Sequence, residues 1–237
     1  MRKEYLLRGD SLVFNNGFEV YQPTVETVME ITYGNYMWFV ECLCSNIADM
    51  IVPLWGKGVD FEDIEENELF KILVGENGNE FCNILKHFSN LDEASIIIEE
   101  DKLYIYCKLD KMEFLIGDEG LSQIKDFFSK INLIQHSKMR KFAGQKTKKS
   151  FLDEDYEELL EKAKEAKNIN SFGNLLSDLV VLNKRSWEYV YGLTIARLNE
   201  ELNKTYRNKK INLTLHGIYS GVIDGNKTPS SDLELNI

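Results

Sequence analysis

Six carboxylates crowd one short stretch of this chain: Asp60, Glu62, Asp63, Glu65, Glu66 and Glu68. Carboxylates at that density can hold a divalent cation or share a proton for acid–base work. The spacing supports neither. A calcium loop alternates its oxygen ligands around a glycine turn, and that pattern is absent. No histidine accompanies the group, so a solvated helix face is expected. The histidines, His87, His136 and His216, stand apart and form no HExxH or HxxEH pair. The cysteines, Cys42, Cys44, Cys82 and Cys107, form a CxC pair and two distant singles, which matches no common zinc spacing. Reduced thiols inside a core are expected. No paired nucleophile or GxSxG elbow supports a hydrolase triad. The glycines in 56–58, 75–78 and 217–225 fit neither GxxxxGK[ST] nor GxGxxG, and read as turns. The sequence therefore predicts no catalytic, cofactor or metal site, and not an enzyme.

One basic run remains: Lys138, Arg140, Lys141, Lys146, Lys148 and Lys149. It stands on an acidic protein of 237 residues with a net charge of −11. Phosphate binding needs a cationic surface, so the whole chain does not read as a polyanion binder. Only Phe142 interleaves the run as a stacking platform. A solvated linker is the first reading, a protein-docking segment the second and nucleic acid the third.

The elements around these residues follow from periodicity. Residues 12–14 and 18–21 read as a hairpin across Asn16-Gly17, with Pro23 ending it and Thr24 capping a helix. Residues 35–55 are mostly apolar at helical spacing, with Pro53 expected to end or kink them. An acidic helix over 61–74, a loop over 75–79 and a short helix over 81–88 follow. Residues 95–99, 103–107 and 112–116 read as three strands of an antiparallel meander. A helical stripe from Leu121 to Ile134 is placed to cover that sheet. After the basic run come helices over 151–167, 172–183 and 186–206, ended by the polar RNKK. Residues 211–215 resume a helix or form a strand, and 217–237 read as loop and tail.

The predicted fold is α+β, mainly helical, with a small antiparallel sheet in the N-terminal part. Residues 1–137 are expected as one domain, 138–149 as a basic linker and 150–237 as a helical domain. No apolar run reaches the length of a signal peptide or a membrane span, which places the expected location in the cytoplasm without a membrane partner.

Four passages in order resemble a family of tail assembly chaperones and tail-associated proteins from phages and prophages of Gram-positive bacteria. They are FEVYQPTVETVMEITYGNYMWFVECL, WGKGVDFEDIEENELFKILV, KMRKFAGQKTKKSFLDEDYEELL, and SWEYVYGLTIARLNEELNKTYR with IYSGVID after it. The end departs from the family pattern, since SDLELNI carries no tryptophan. The resemblance implies non-catalytic binding to a tape-measure or tail-tube protein in the host cytoplasm, with self-association possible. Its alternatives are a structural component of the finished virion and a small nucleic-acid-binding regulator acting through the basic run. Candidate contact residues are the apolar Trp38, Trp55, Trp187, Tyr189 and Tyr191, with Lys146, Lys148 and Lys149 as an electrostatic rim.

Overall fold

The computed structural model describes residues 3–99, 102–166 and 171–220. A short helix α1 (Lys3–Arg8) precedes the expected hairpin of β1 (Leu12–Val13) and β2 (Glu19–Val20). Gly17 closes it at a φ of +81°, which the absence of a Cβ permits. Thr24 caps α2 (Val25–Ile31), its hydroxyl accepting from the Thr27 N–H at 3.1 Å. Next come α3 (Tyr33–Cys44) and α4 (Ile47–Gly56), meeting at 114°. The interruption expected at Pro53 falls instead at Ser45-Asn46. Asn46 and Asp49 form a reciprocal capping box there, which satisfies donors that would otherwise oppose a new helix start. Pro53 stays inside α4 and forgoes only one bond to the carbonyl four residues earlier.

The expected acidic helix is shorter than its sequence span. Phe61–Asp63 is a single 3-10 turn, and α5 covers Glu66–Val74. The expected loop is mostly helical, as a turn at Gly75–Asn77 leading into α6 (Gly78–His87). The meander is present as β3 (Glu93–Glu99), β4 (Lys102–Leu109) and β5 (Met112–Ile116), antiparallel in that order. Leu103, Ile105 and Cys107 point into the core, while Tyr104, Tyr106 and Lys108 face the other way. Helix α7 (Asp118–Ile131) does not mainly cover this sheet, as the stripe suggested. It packs chiefly on α3, with smaller contacts to β5, because α6 already lies against β3.

Three corrections concern the C-terminal part. Helix α8 runs Gln145–Ala166, so the stretch expected as a linker over 138–149 is helical from Gln145 onward. Lysines are good helix formers, and Gly144 accepts the Lys148 N–H as the first turn closes. After α9 (Ser171–Asn183), the helix expected over 186–206 is broken at Gly192 into α10 (Trp187–Tyr191) and α11 (Ile195–Tyr219). Finally, α11 passes through RNKK without a break. Arginine and lysine favour helix, and no glycine or proline interrupts them before Gly217. The expectations for 221–237, for the Glu100-Asp101 turn and for a break at Asn168 and Asn170 lie outside the described residues.

One apolar cluster gathers Val25, Phe39, Phe81 and Ile105 together with Phe172, Leu179, Val190 and Leu202. Helices α9, α10 and α11 thus bury their apolar faces in the same core as the elements before the basic run. Tyr33 and Phe172 stack at 4.2 Å across the seam. The Val25 N–H donates to the Leu193 carbonyl at 2.9 Å, and the Ile195 N–H to the Pro23 carbonyl at 2.8 Å. The basic stretch therefore connects parts of one core. A smaller cluster, with Ile51, Leu54, Phe61, Leu69 and Leu152, meets the main one at the half-buried Leu73.

Candidate functional site

That smaller cluster is where α8 docks. Lys148 is only 2% exposed. Its Nζ donates to both Asp60 oxygens at 2.6 and 2.7 Å and to Glu62 Oε2 at 2.8 Å, and lies 4.5 Å from the Phe61 ring centre. Leu152 is fully buried against α4 and Phe61. Trp55 Nε1 donates to Asp153 Oδ1 at 2.9 Å. Tyr156 lies over Gly56, where an added Cβ would come within 2.1 Å of the ring. Arg140 pairs with Asp155. Lys148, Leu152 and Tyr156 recur every fourth residue and so form one stripe on the helix. Among the other described side chains from 145 to 163, only Asp155 is half-buried and the rest are exposed.

Desolvation works against the Lys148 charge, but the bonds to Asp60 and Glu62 outweigh it and raise its pKa. The Lys148 hydrogen bond holds the Asp60 carboxyl below the ordinary carboxylate range. The signs follow. Lys148 contributes stability that is full below the ordinary lysine range of about 10.4 and is lost as pH rises through its raised value. Asp60 contributes stability present above about 3.9 and lost as pH falls through its lowered value. Asp49 behaves alike. Its desolvation is outweighed by the Ser137 N–H and by His136, whose Nδ1 lies 2.7 Å away, so its pKa is also lowered. We expect α8 to be held at neutral pH and to loosen in acid below about pH 4. Amide exchange over residues 148–156, compared at pH 7 and pH 3 after correction for intrinsic rates, measures this. Undiminished protection at pH 3 would contradict it.

The second surface lies on α10. Val190 is its buried side chain. Helical geometry then puts Trp187 and Tyr191 on one flank and Tyr189 on the other. Trp187 and Tyr191 are 43% and 37% exposed, with ring centres 5.7 Å apart. Tyr189 donates its hydroxyl to Glu201 of α11, which raises its pKa, and lies beneath the Arg185 guanidinium at 4.8 Å. Tyr206 donates to Asp178 at 3.1 Å. Val181 and Leu182 of α9 are exposed as well.

The sequence candidates thus separate. Trp187, Tyr189 and Tyr191 share α10. Trp55 and Lys148 belong to the α8 seam. Trp38 is half-buried against the main core. Lys146 and Lys149 are exposed, but Lys148 is enclosed and cannot serve as a rim residue. Asp60 and Glu62, expected on a solvated face, are the partners of Lys148. Sequence reasoning missed Asp60, Glu62, Gly56, Leu152 and Tyr156 as a set. The four-residue recurrence of Lys148, Leu152 and Tyr156 was the available signal.

All four cysteines are buried and unpaired, as expected. Burial pushes the Cys42 and Cys107 thiols up to about 12, and those of Cys44 and Cys82 up to about 11. Cys42 lines a cavity of about 270 Å³ with Phe70, Leu103, Asp118 and Lys125, yet its thiolate is disfavoured there. Among the described residues, no three His, Cys, Asp or Glu side chains converge to hold a metal ion. No single described helix is long and apolar enough to cross a membrane.

Neither a protein-family model nor a curated protein nor a solved structure matches the chain.

Proposed function

We propose that this chain is a non-catalytic binding protein of phage tail assembly, a chaperone that holds a tape-measure or tail-tube protein until it is incorporated. The ordered resemblance of four passages supplies the setting. The observation that carries the binding role is the aromatic ledge on α10. Trp187 and Tyr191 present large apolar area with few rotatable bonds, their rings already side by side at a tilt of 33°, so little ordering cost is left to binding. Rings of this kind are enriched where interfaces concentrate their energy. The net charge of −11 favours an apolar or basic client and keeps copies of the chain apart. Internal pairing of Lys148 and Arg140 argues against the basic run as a nucleic-acid site.

Co-expression with phage tape-measure and tail-tube proteins is the test. A client should become more soluble and co-purify. Replacing both Trp187 and Tyr191 by alanine should weaken that complex by roughly 30-fold or more, at least about 2 kcal/mol, while leaving the fold intact. If neither client's solubility changes and nothing co-purifies, the proposal fails. Stoichiometric presence of the chain in purified particles would assign it to the finished tail instead.

A further inference from the structure

The face formed by α4, the 60–63 turn and α5 has the form of a receptor for one helix. Its middle is apolar, from Ile51, Leu54, Phe61 and Leu69. One end is acidic: Asp60 and Glu62 reach Lys148, and Asp63, Glu65 and Glu68 stand exposed beside them. The other end is Gly56, whose missing side chain leaves room for a ring. These three features read a cation, a leucine and an aromatic at i, i+4 and i+8 of a helix, in that direction. Helix α8 meets all three with Lys148, Leu152 and Tyr156.

Its hold is narrow. Beyond Tyr156, every described side chain of α8 to residue 163 is exposed, including Leu159 and Leu160. Residues 134–144 ahead of it contain neither helix nor strand, although Ser137 is tied to Asp49. The helix can therefore leave the face while the chain before it stays anchored. The face also belongs to the smaller apolar cluster, so releasing α8 does not open the main core.

We propose that α8 is the resident occupant of a helix-binding groove, and that it yields to a basic amphipathic helix of a partner protein carrying the same cation–leucine–aromatic stripe. The charge of the groove selects the partner: an acidic helix start would meet Asp60 and Glu62, whereas a lysine or arginine replaces Lys148 directly. A partner whose stripe continues beyond the aromatic gains contact that α8 does not make. The groove lies on other residues than the α10 ledge, and the two surfaces stand or fall separately.

The probe is a fluorescein-labelled peptide of residues 145–160, QKTKKSFLDEDYEELL, titrated with the full chain while anisotropy is read. The unaltered chain should bind it weakly, because α8 fills the groove. Leu152→Asp should empty the groove and tighten binding by at least about tenfold. Adding Asp60→Asn and Glu62→Gln to that chain should abolish the gain, as should Lys148→Glu within the peptide. Binding no tighter than that of the unaltered chain overturns the proposal. So does a doubled mass of the Leu152→Asp chain by light scattering without peptide, which assigns the groove to a second copy. If Leu152→Asp gives no soluble protein, the Lys148→Glu chain takes its place. In the unaltered protein, amides of 148–156 should exchange at least about 100-fold faster than those of α3, and equal protection overturns the proposal.

Discussion

Phe39→Ala should lower the unfolding free energy by about 3–5 kcal/mol. The Phe39 ring is fully buried, with the rings of Phe81, Phe128 and Phe88 centred 4.7, 5.2 and 5.9 Å away. Those neighbours come from α6, α7 and the turn after α6, so truncation leaves a cavity between elements that cannot close around it. Two terms add here, the lost transfer free energy and the lost contacts across the void. Urea unfolding followed by far-ultraviolet dichroism reads the change as a lower midpoint at constant slope. A loss below about 1 kcal/mol would mean that the aromatic cluster is not the keystone of the main core.

Lys148→Glu should act as strongly but in one place. It sets a third carboxylate against Asp60 and Glu62 in a space where the lysine is 2% exposed. Placing an uncompensated charge in such a site costs about 3–5 kcal/mol. The main apolar attachment of α8 is Leu152, and burying one leucine contributes about 1.5–3 kcal/mol. The penalty is the larger quantity, so the helix should detach while the rest of the protein stays folded. Amide protection over residues 148–156 should disappear, and protection around Phe39 should persist. Trp55 should change its fluorescence as its bond to Asp153 is lost. Simultaneous loss of protection in α3 would show that α8 is integral to the main core.

The meander was legible because its strands are runs of β-branched and aromatic residues separated by short polar connections, and local pattern suffices for such a unit. The Thr24 cap was legible for the same reason. Helix ends elsewhere were not. Asn46 and Asp49 outweighed the more conspicuous Pro53, because a capping box satisfies donors on both sides while one proline removes only one bond. The start of α8 was misplaced because its lysines look like a solvated run until Asp60 and Glu62, more than eighty residues earlier, are brought beside Lys148. Gly192 and Thr194 carried a readable signal for the α10–α11 break: a helix end followed by a capping threonine whose hydroxyl accepts from the Arg197 N–H. The common core was invisible in any local window, since Phe172 and Tyr33 meet only once the chain has folded back. Of the candidate contacts, aromatic type alone did not separate Trp38, held against the core, from Trp187, left at the surface.

The pairing of Thr24 with Thr194 also bears on how the protein is made. The Pro23 carbonyl and the Val25 N–H receive their backbone partners only when Ile195 and Leu193 arrive. About 170 residues separate the two, and at typical ribosomal speeds their synthesis takes roughly 10–30 seconds. Throughout that interval the opening of the chain has no final seat, and the valines of α2 lack the helices that later seal them. The last third of the polypeptide thus acts as a clasp. A chain whose translation stops before residue 195 is left open at its beginning as well as at its end.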